Sequence, residues 1–342
     1  MKPRRQARRA SYREALGYGA MSTVALALFG VVSSIIIARI FKAEVIGEAA
    51  IALAPYLALQ LLSSFREQAA LVRKLATLPP RDPRITGLSV AVMAFSTALV
   101  VAVSMMVAAG TWWAFNGPVD RPELIAPALC VIAAYALIGN PGWNLNMVLS
   151  SFRAGRELFA VKMVSAVSFF VIAIIYGLVI EVSVWGLVAA TIGSWVVALV
   201  HRIALLPSFM RFFVPTDEVR AGFRELPEMI RFSLKLGPGQ MAAGISEQSV
   251  YWILAVMFKG ALGDALIGAF NRAQQLSKRL IDTRANVVEV LLPTLVERRS
   301  QGDHAGFDRA LVDSVRYVVI ILLLCAAMAG GAAQGVMELY GP

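Results

Sequence analysis

The feature that most limits what this chain can fold into is a succession of apolar runs, each too long for a soluble core helix, separated by short basic segments. Crossing about 30 Å of hydrocarbon takes about 20 residues of helix. Leu16–Ile40, Val45–Val72, Ile85–Phe115, Leu124–Ser150, Phe159–Ile180 and Val184–Leu206 meet that length, followed by Leu236–Phe258, Leu262–Pro293 and Leu311–Leu339. Only helices and closed barrels satisfy their backbone hydrogen bonds in lipid, and runs of this length are helical. The fold class is therefore all-α, a polytopic membrane protein of about nine transmembrane helices. With 58% hydrophobic and 16% charged residues, a soluble domain of this length is excluded.

The charge of +10 marks topology rather than a nucleic-acid surface, because the basic residues collect in alternate loops. With the N-terminus inside, residues 1–13, 73–84, 151–158, 207–231 and 297–309 hold 19 Lys and Arg, against Lys42, Arg121 and Lys259 outside. Residues 1–15 read as a basic cytoplasmic tail. The run after them is too long for a signal-peptide core, so the first span stays uncleaved. Residues 16–206 form a first set of six spans and 232–342 a further three. Residues 207–231, with interleaved Phe and Arg, read as an amphipathic cytoplasmic linker. Cys130 and Cys325 both lie in apolar runs, so neither a disulfide framework nor a metal site is legible.

Span eight carries a charged stripe. Asn271, Arg272, Gln275, Lys278, Arg279, Asp282, Asn286 and Glu289 share one side of a helix, with Leu276, Leu280, Val287 and Leu291 opposite. Arg272 lies near the bilayer centre, where an ionised side chain costs about 3 kcal/mol on insertion scales, so it must face protein or water. Lys278 and Arg279 serve either as further substrate-binding cations or as a positive-inside helix end. Glu247 and Arg272 lie at nearly equal distances either side of Gly260, hence at one depth of a helical hairpin. Glu247 is then either a coupling carboxylate that trades a proton or Na⁺ for its Arg partner, or a static ion-pair partner. Gln240, Gly244, Glu247 and Tyr251 share a face. In span four, Asn140 and Asn144 flank Pro141, consistent with a polar cavity lining at a kink or with hydrogen bonding between helices. Arg66 and Glu67 read as interfacial, and His201 as structural.

An internal repeat links the two ends of the chain. Ile36–Ala52 matches Ile253–Ala269, with Phe41-Lys42 over Phe258-Lys259 and, after a one-residue gap, Gly47-Glu48 over Gly263-Asp264. Gly117-Pro118 after span three corresponds to Gly341-Pro342 after span nine. These landmarks predict a duplicated unit, a six-helix N-lobe and a partial, three-helix C-lobe.

The turn Ala38-Arg39-Ile40-Phe41-Lys42-Ala43-Glu44-Val45-Ile46-Gly47, followed by Ala70-Leu71-Val72-Arg73, resembles the multidrug/oligosaccharidyl-lipid/polysaccharide (MOP) exporter superfamily, and within it the Wzx-type polysaccharide flippases. The resemblance implies two six-helix lobes around a cavity that opens alternately to either face. It further implies a lipid-diphosphate-linked oligosaccharide of undecaprenyl type as cargo, a bacterial inner membrane, a polysaccharide polymerase or export machinery nearby, and a chain lacking its last three spans. On that reading Arg272, Lys278 and Arg279 bind the phosphates, and Asn271, Gln275, Gln240, Asn140 and Asn144 supply polar lining. No cofactor is expected beyond H⁺ or Na⁺ coupling. An enzyme acting on the same lipid would need clustered carboxylates or a placed base, and the sequence has no DxD or DDxxD. Two rivals stand beside the flippase: a cation-coupled multidrug exporter, which calls for an acidic cavity, and a non-transporting fragment or scaffold.

Overall fold

The computed structural model describes residues 12–63, 67–235 and 237–339, and among them every regular element is a helix. The apolar runs become membrane-length helices as expected. The first element, α1 (Tyr12–Leu62), is two helical arms joined at Lys42, whose φ of 58° and ψ of 168° break the helix inside the expected turn. A non-glycine residue there costs about 1–3 kcal/mol. Fully buried Phe41 anchors the turn from the preceding position.

The second arm ends at Leu62, short of the expected Val72, and a separate helix α2 (Glu67–Leu75) follows. Arg66 lies outside the described residues. Glu67 is not interfacial, contrary to expectation. It is 2% exposed and accepts a hydrogen bond from Ser96 Oγ at 3.1 Å. A carboxylate at a helix end is hard to place from sequence, because burial depends on a partner that the distant helix α3 (Pro83–Asn116) supplies. That helix starts cleanly: Asp82 caps it by accepting from the Arg84 amide at 2.9 Å, and Pro83 takes the first turn.

Two spans contain widened turns. Helix α4 (Ile125–Ala134) passes through a π-turn at Tyr135–Gly139 into α5 (Asn140–Ser151). Pro141 lacks an N–H and its ring crowds the carbonyl four residues back, so the extra residue per turn relieves the clash. Helix α6 (Gly155–Ile175) ends in a second π-turn at Tyr176–Ile180, and α7 (Val184–Leu205) returns antiparallel to it. Spans three, five and six thus start and stop within a few residues of where their apolar runs do.

The linker becomes α8 (Thr216–Leu234), which docks on α2 and α3 through Gly222, Met229 and Ser233. Lys74 joins it to α2 with Glu228 at 2.8 Å and Glu225 at 3.1 Å, and Arg73 lies 5.0 Å over the Phe232 ring. The amphipathic pattern is present, but its inner face meets protein. Phe213, just before the helix, is 96% exposed.

Three long helices complete the described chain: α9 (Gly237–Met257), α10 (Gly260–Ser300) and α11 (His304–Leu339). Among the described residues the most extensive helix packing is that of α1 on α10. Glycines make it possible: a Cβ on Gly47 would fall 1.9 Å from the Asp264 carbonyl oxygen, and one on Gly268 would fall 2.1 Å from that of Ala43. Neither backbone can yield, so any larger residue forces the helices apart.

Val24, Leu28 and Val32 on α1 and Trp112 and Trp113 at the end of α3 are all well exposed. In water such a belt would aggregate; in lipid it is the packing surface, with tryptophans at its margin. The chain is a multi-pass membrane protein, with five helices among the described residues long and apolar enough to span. We refer to the end carrying α2, α8 and the α5–α6 turn as the basic face, and to the end carrying Lys42, Arg121 and Gly260 as the far face.

Candidate functional site

A cavity of about 690 Å³ lies between the helices before α8 and those after it. Both arms of α1, with α5, α6 and α7, form one wall; Tyr251 of α9 and Asn271 and Arg272 of α10 close the other. Arg272 is 9% exposed and lines this cavity, so the mid-depth cation is inside protein, as its solvation cost requires. Its neighbour Asn271 accepts from the Tyr251 hydroxyl at 2.8 Å, which ties α9 to α10 at that level. Gln274 lies against the same hydroxyl.

Asn140 and Asn144 are placed elsewhere. They are 2% and 3% exposed and form a buried network with Ser96, which contacts Asn140 Oδ1 at 3.0 Å and receives Asn144 Nδ2 at 3.3 Å. Glu67 shares that serine. This cluster joins α2, α3 and α5, so the two amides hold helices together instead of lining the cavity. The side chains of Gln240, Glu247, Gln275, Lys278 and Arg279 lie outside the described residues.

Two cations that sequence reasoning passed over also line the cavity: Lys162 on α6 and Arg202 on α7. Arg202 Nε donates to Asn146 Oδ1 at 2.8 Å, and Asn146 is 4% exposed. A legible signal existed. On α7, Thr191, Ser194, Trp195 and Arg202 recur at helical spacing, and on α6 Lys162, Ser165, Ala166 and Phe169 do the same; all eight line the cavity. Each cation sits close enough to a basic loop to pass as a positive-inside residue, which hides it.

An aromatic cluster completes the wall. Tyr56, Tyr135 and Trp195 meet with ring centroids 5.3–6.0 Å apart. Such faces accept the apolar side of a sugar ring or a hydrocarbon, while Gln60 and the serines offer hydrogen bonds. No Asp or Glu occurs among the described lining residues.

Ion pairs join early helices to α10 at both faces of the molecule. At the far face Arg121, in the α3–α4 connection, holds Asp264 through contacts of 2.7 and 2.9 Å from one guanidinium nitrogen. At the basic face Arg153, in the α5–α6 turn, pairs with Glu297.

No family model and no curated protein matches the sequence. Solved structures do match. A MATE protein in complex with MaD3S superposes with a TM-score of 0.63 at 16% identity, covering 99% of this chain and 78% of that one. An outward-facing multidrug resistance MATE family transporter of the MOP superfamily gives 0.61 at 17%, with the same coverage. The MATE multidrug transporter DinF-BH gives 0.55 at 12%, covering 98% and 75%. With almost its whole length superposed, the chain has the fold of the MATE transporters of the MOP superfamily.

Proposed function

We propose that this protein moves an anionic, lipid-anchored glycan, a lipid-diphosphate-linked oligosaccharide, across the bacterial inner membrane by alternating access between two lobes. The observation that carries this reading is the cavity's charge: Arg272, Lys162 and Arg202 line it, with no carboxylate among the described lining residues. A diphosphate entering such a low-dielectric space gains charge-assisted hydrogen bonds that water would otherwise supply. The aromatic cluster and the polar side chains suit the glycan, and the apolar outer surface suits the lipid tail. Alternating access requires Arg121–Asp264 and Arg153–Glu297 to break in turn, since each joins early helices to α10 at one face.

A second reading has its own support: the solved structures of this fold include multidrug transporters. Cationic cargo would face Arg202, which is held by a neutral amide and opposes it by about 1–4 kcal/mol at contact distance, depending on local dielectric.

The deciding experiment is reconstitution in proteoliposomes with a fluorescent lipid-diphosphate saccharide on one side and a lipophilic cationic dye in parallel vesicles. We expect translocation of the lipid and none of the dye, and Arg272→Ala to lower lipid translocation at least about tenfold, the loss of one charge-assisted contact. Dye transport without lipid transport would reverse the assignment.

A further inference from the structure

Arg272 is not the only place in the cavity built for an anion. Lys162 lies twenty residues before Val182 and Arg202 twenty after it, so the α6–α7 hairpin brings them to one level. Arg202 lies 18 residues from Val184 at the far end of α7, about 27 Å along the helix axis. Arg272 lies 12 residues from Gly260 at the far end of α10, about 18 Å along. Counted from the far ends of their own helices, Arg202 thus lies about 9 Å deeper along α7 than Arg272 lies along α10, more than the roughly 3 Å reach of a hydrogen bond.

The guanidinium of Arg202 is held for use. Asn146 takes its Nε–H at 2.8 Å, which fixes the plane and leaves the terminal nitrogens, the edge that grips a phosphate bidentately. Gly142 makes the room: a Cβ there would lie 2.7 Å from Arg202 Nη1. Pro141 and the π-turn before it set the rotation that turns this bare backbone toward α7. A neutral amide is an informative choice beside a half-buried arginine. A carboxylate would satisfy the same N–H and cancel the charge, whereas asparagine orients the guanidinium and leaves its charge available.

We infer that Arg202, oriented by Asn146 over Gly142 and joined by Lys162, is a second phosphate-binding station, set on the early helices and met before Arg272 by an anion arriving from the basic face. This rests on the anionic cargo proposed above and adds an order of events. The phosphate is captured on the early helices and passed to Arg272 on α10, so that cargo bridges the two walls only during transfer.

The test uses the whole protein in lipid nanodiscs, with equilibrium binding of radiolabelled farnesyl diphosphate and, separately, inorganic diphosphate. Asn146→Asp keeps the hydrogen bond and cancels the charge of the guanidinium, and Gly142→Ala displaces the guanidinium without changing any charge. Both should weaken binding at least about tenfold, with thermal unfolding unchanged as evidence of folding; Arg202→Lys, which cannot grip bidentately, should fall between. Binding of both probes identifies the phosphate group alone as the ligand. Binding of farnesyl diphosphate only identifies a lipid headgroup. If Asn146→Asp and Gly142→Ala bind like the unmodified protein while Arg272→Ala does not, the station is refuted and the cargo assignment survives. If the unmodified protein binds neither probe, the cargo assignment itself fails.

Discussion

The two ends of α10 are closed by the same chemistry in opposite settings. At the far face one guanidinium, Arg121, stands among carboxylates: it holds Asp264, lies 3.6 Å from Glu123, and has Glu44 and Glu48 within electrostatic range of the same cluster. At the basic face Glu297 pairs with Arg153 and is followed in the chain by Arg298 and Arg299, the first of them 3.5 Å from Asp303. The agents that loosen each end therefore differ in sign. Protons or cations compete for the acids at the far face, and an anion competes with Glu297 for Arg153 at the basic face. An anionic cargo can help to open the end at which it arrives, and that end alone.

The far-face pair is the more deeply buried of the two. The Asp264 side chain is only 3% exposed, so Arg121→Gln leaves a buried carboxylate with its acidic neighbours and no guanidinium, a loss of about 3–5 kcal/mol for a broken buried pair. Unfolding in detergent should show that loss, and Asp264→Asn added to Arg121→Gln should restore most of it. Equal stability of the single and double variants would mean that the far face is held by something else. At the basic face Glu297 is 27% exposed, and solvent reduces the expected cost of Glu297→Gln to about 1–2 kcal/mol. Its more specific effect should be on access. A cysteine placed at Ser165, in a background without Cys130 and Cys325, should label with a polar maleimide faster from the basic face once Glu297 is neutralised. Unchanged labelling would remove the pair from gating.

The smallest effect belongs to the tie between α2 and α8. Its hydrogen bond to Lys74 holds the Glu228 carboxyl below the usual carboxylate range and, from the other side, raises the Lys74 ammonium. A lowered acid contributes above its unfolded value and loses that contribution as pH falls through the lowered one; the raised lysine contributes below its ordinary range and loses as pH rises through its folded value. The tie thus holds across neutral pH. The protection factors of the α8 amides, with the intrinsic pH dependence of exchange divided out, should be flat there and fall only in acid below the ordinary carboxylate range or in strong base. A fall in protection between about pH 6 and 8, where neither group titrates, would contradict this.

Much of the fold is legible in the residues. Ile85–Phe115, Phe159–Ile180 and Val184–Leu206 nearly coincide with α3, with α6 and its π-turn, and with α7, because apolar length and flanking Pro or Gly set helix ends locally. Arg272 is legible for the same reason: a charge at mid-depth has one class of solution. Lys162 and Arg202 are legible only as members of polar stripes at helical spacing, since each is ordinary near a basic loop and only the α6–α7 hairpin makes the two stripes face one space. Glu67 also escapes, because its burial is decided by Ser96, 29 residues away. Tertiary partners, unlike spans, leave little trace in local periodicity.

The glycine crossing of α1 with α10 also sets a mechanical ratio. Gly268 lies 4 residues from Asp264 and 29 from Glu297, about 6 Å and 44 Å along one continuous helix. A rocking of α10 about that contact works as a long lever with its fulcrum beside the far face. The basic end sweeps about seven times as far as the other, so a movement small enough to leave Asp264 within reach of Arg121 carries Glu297 well clear of Arg153.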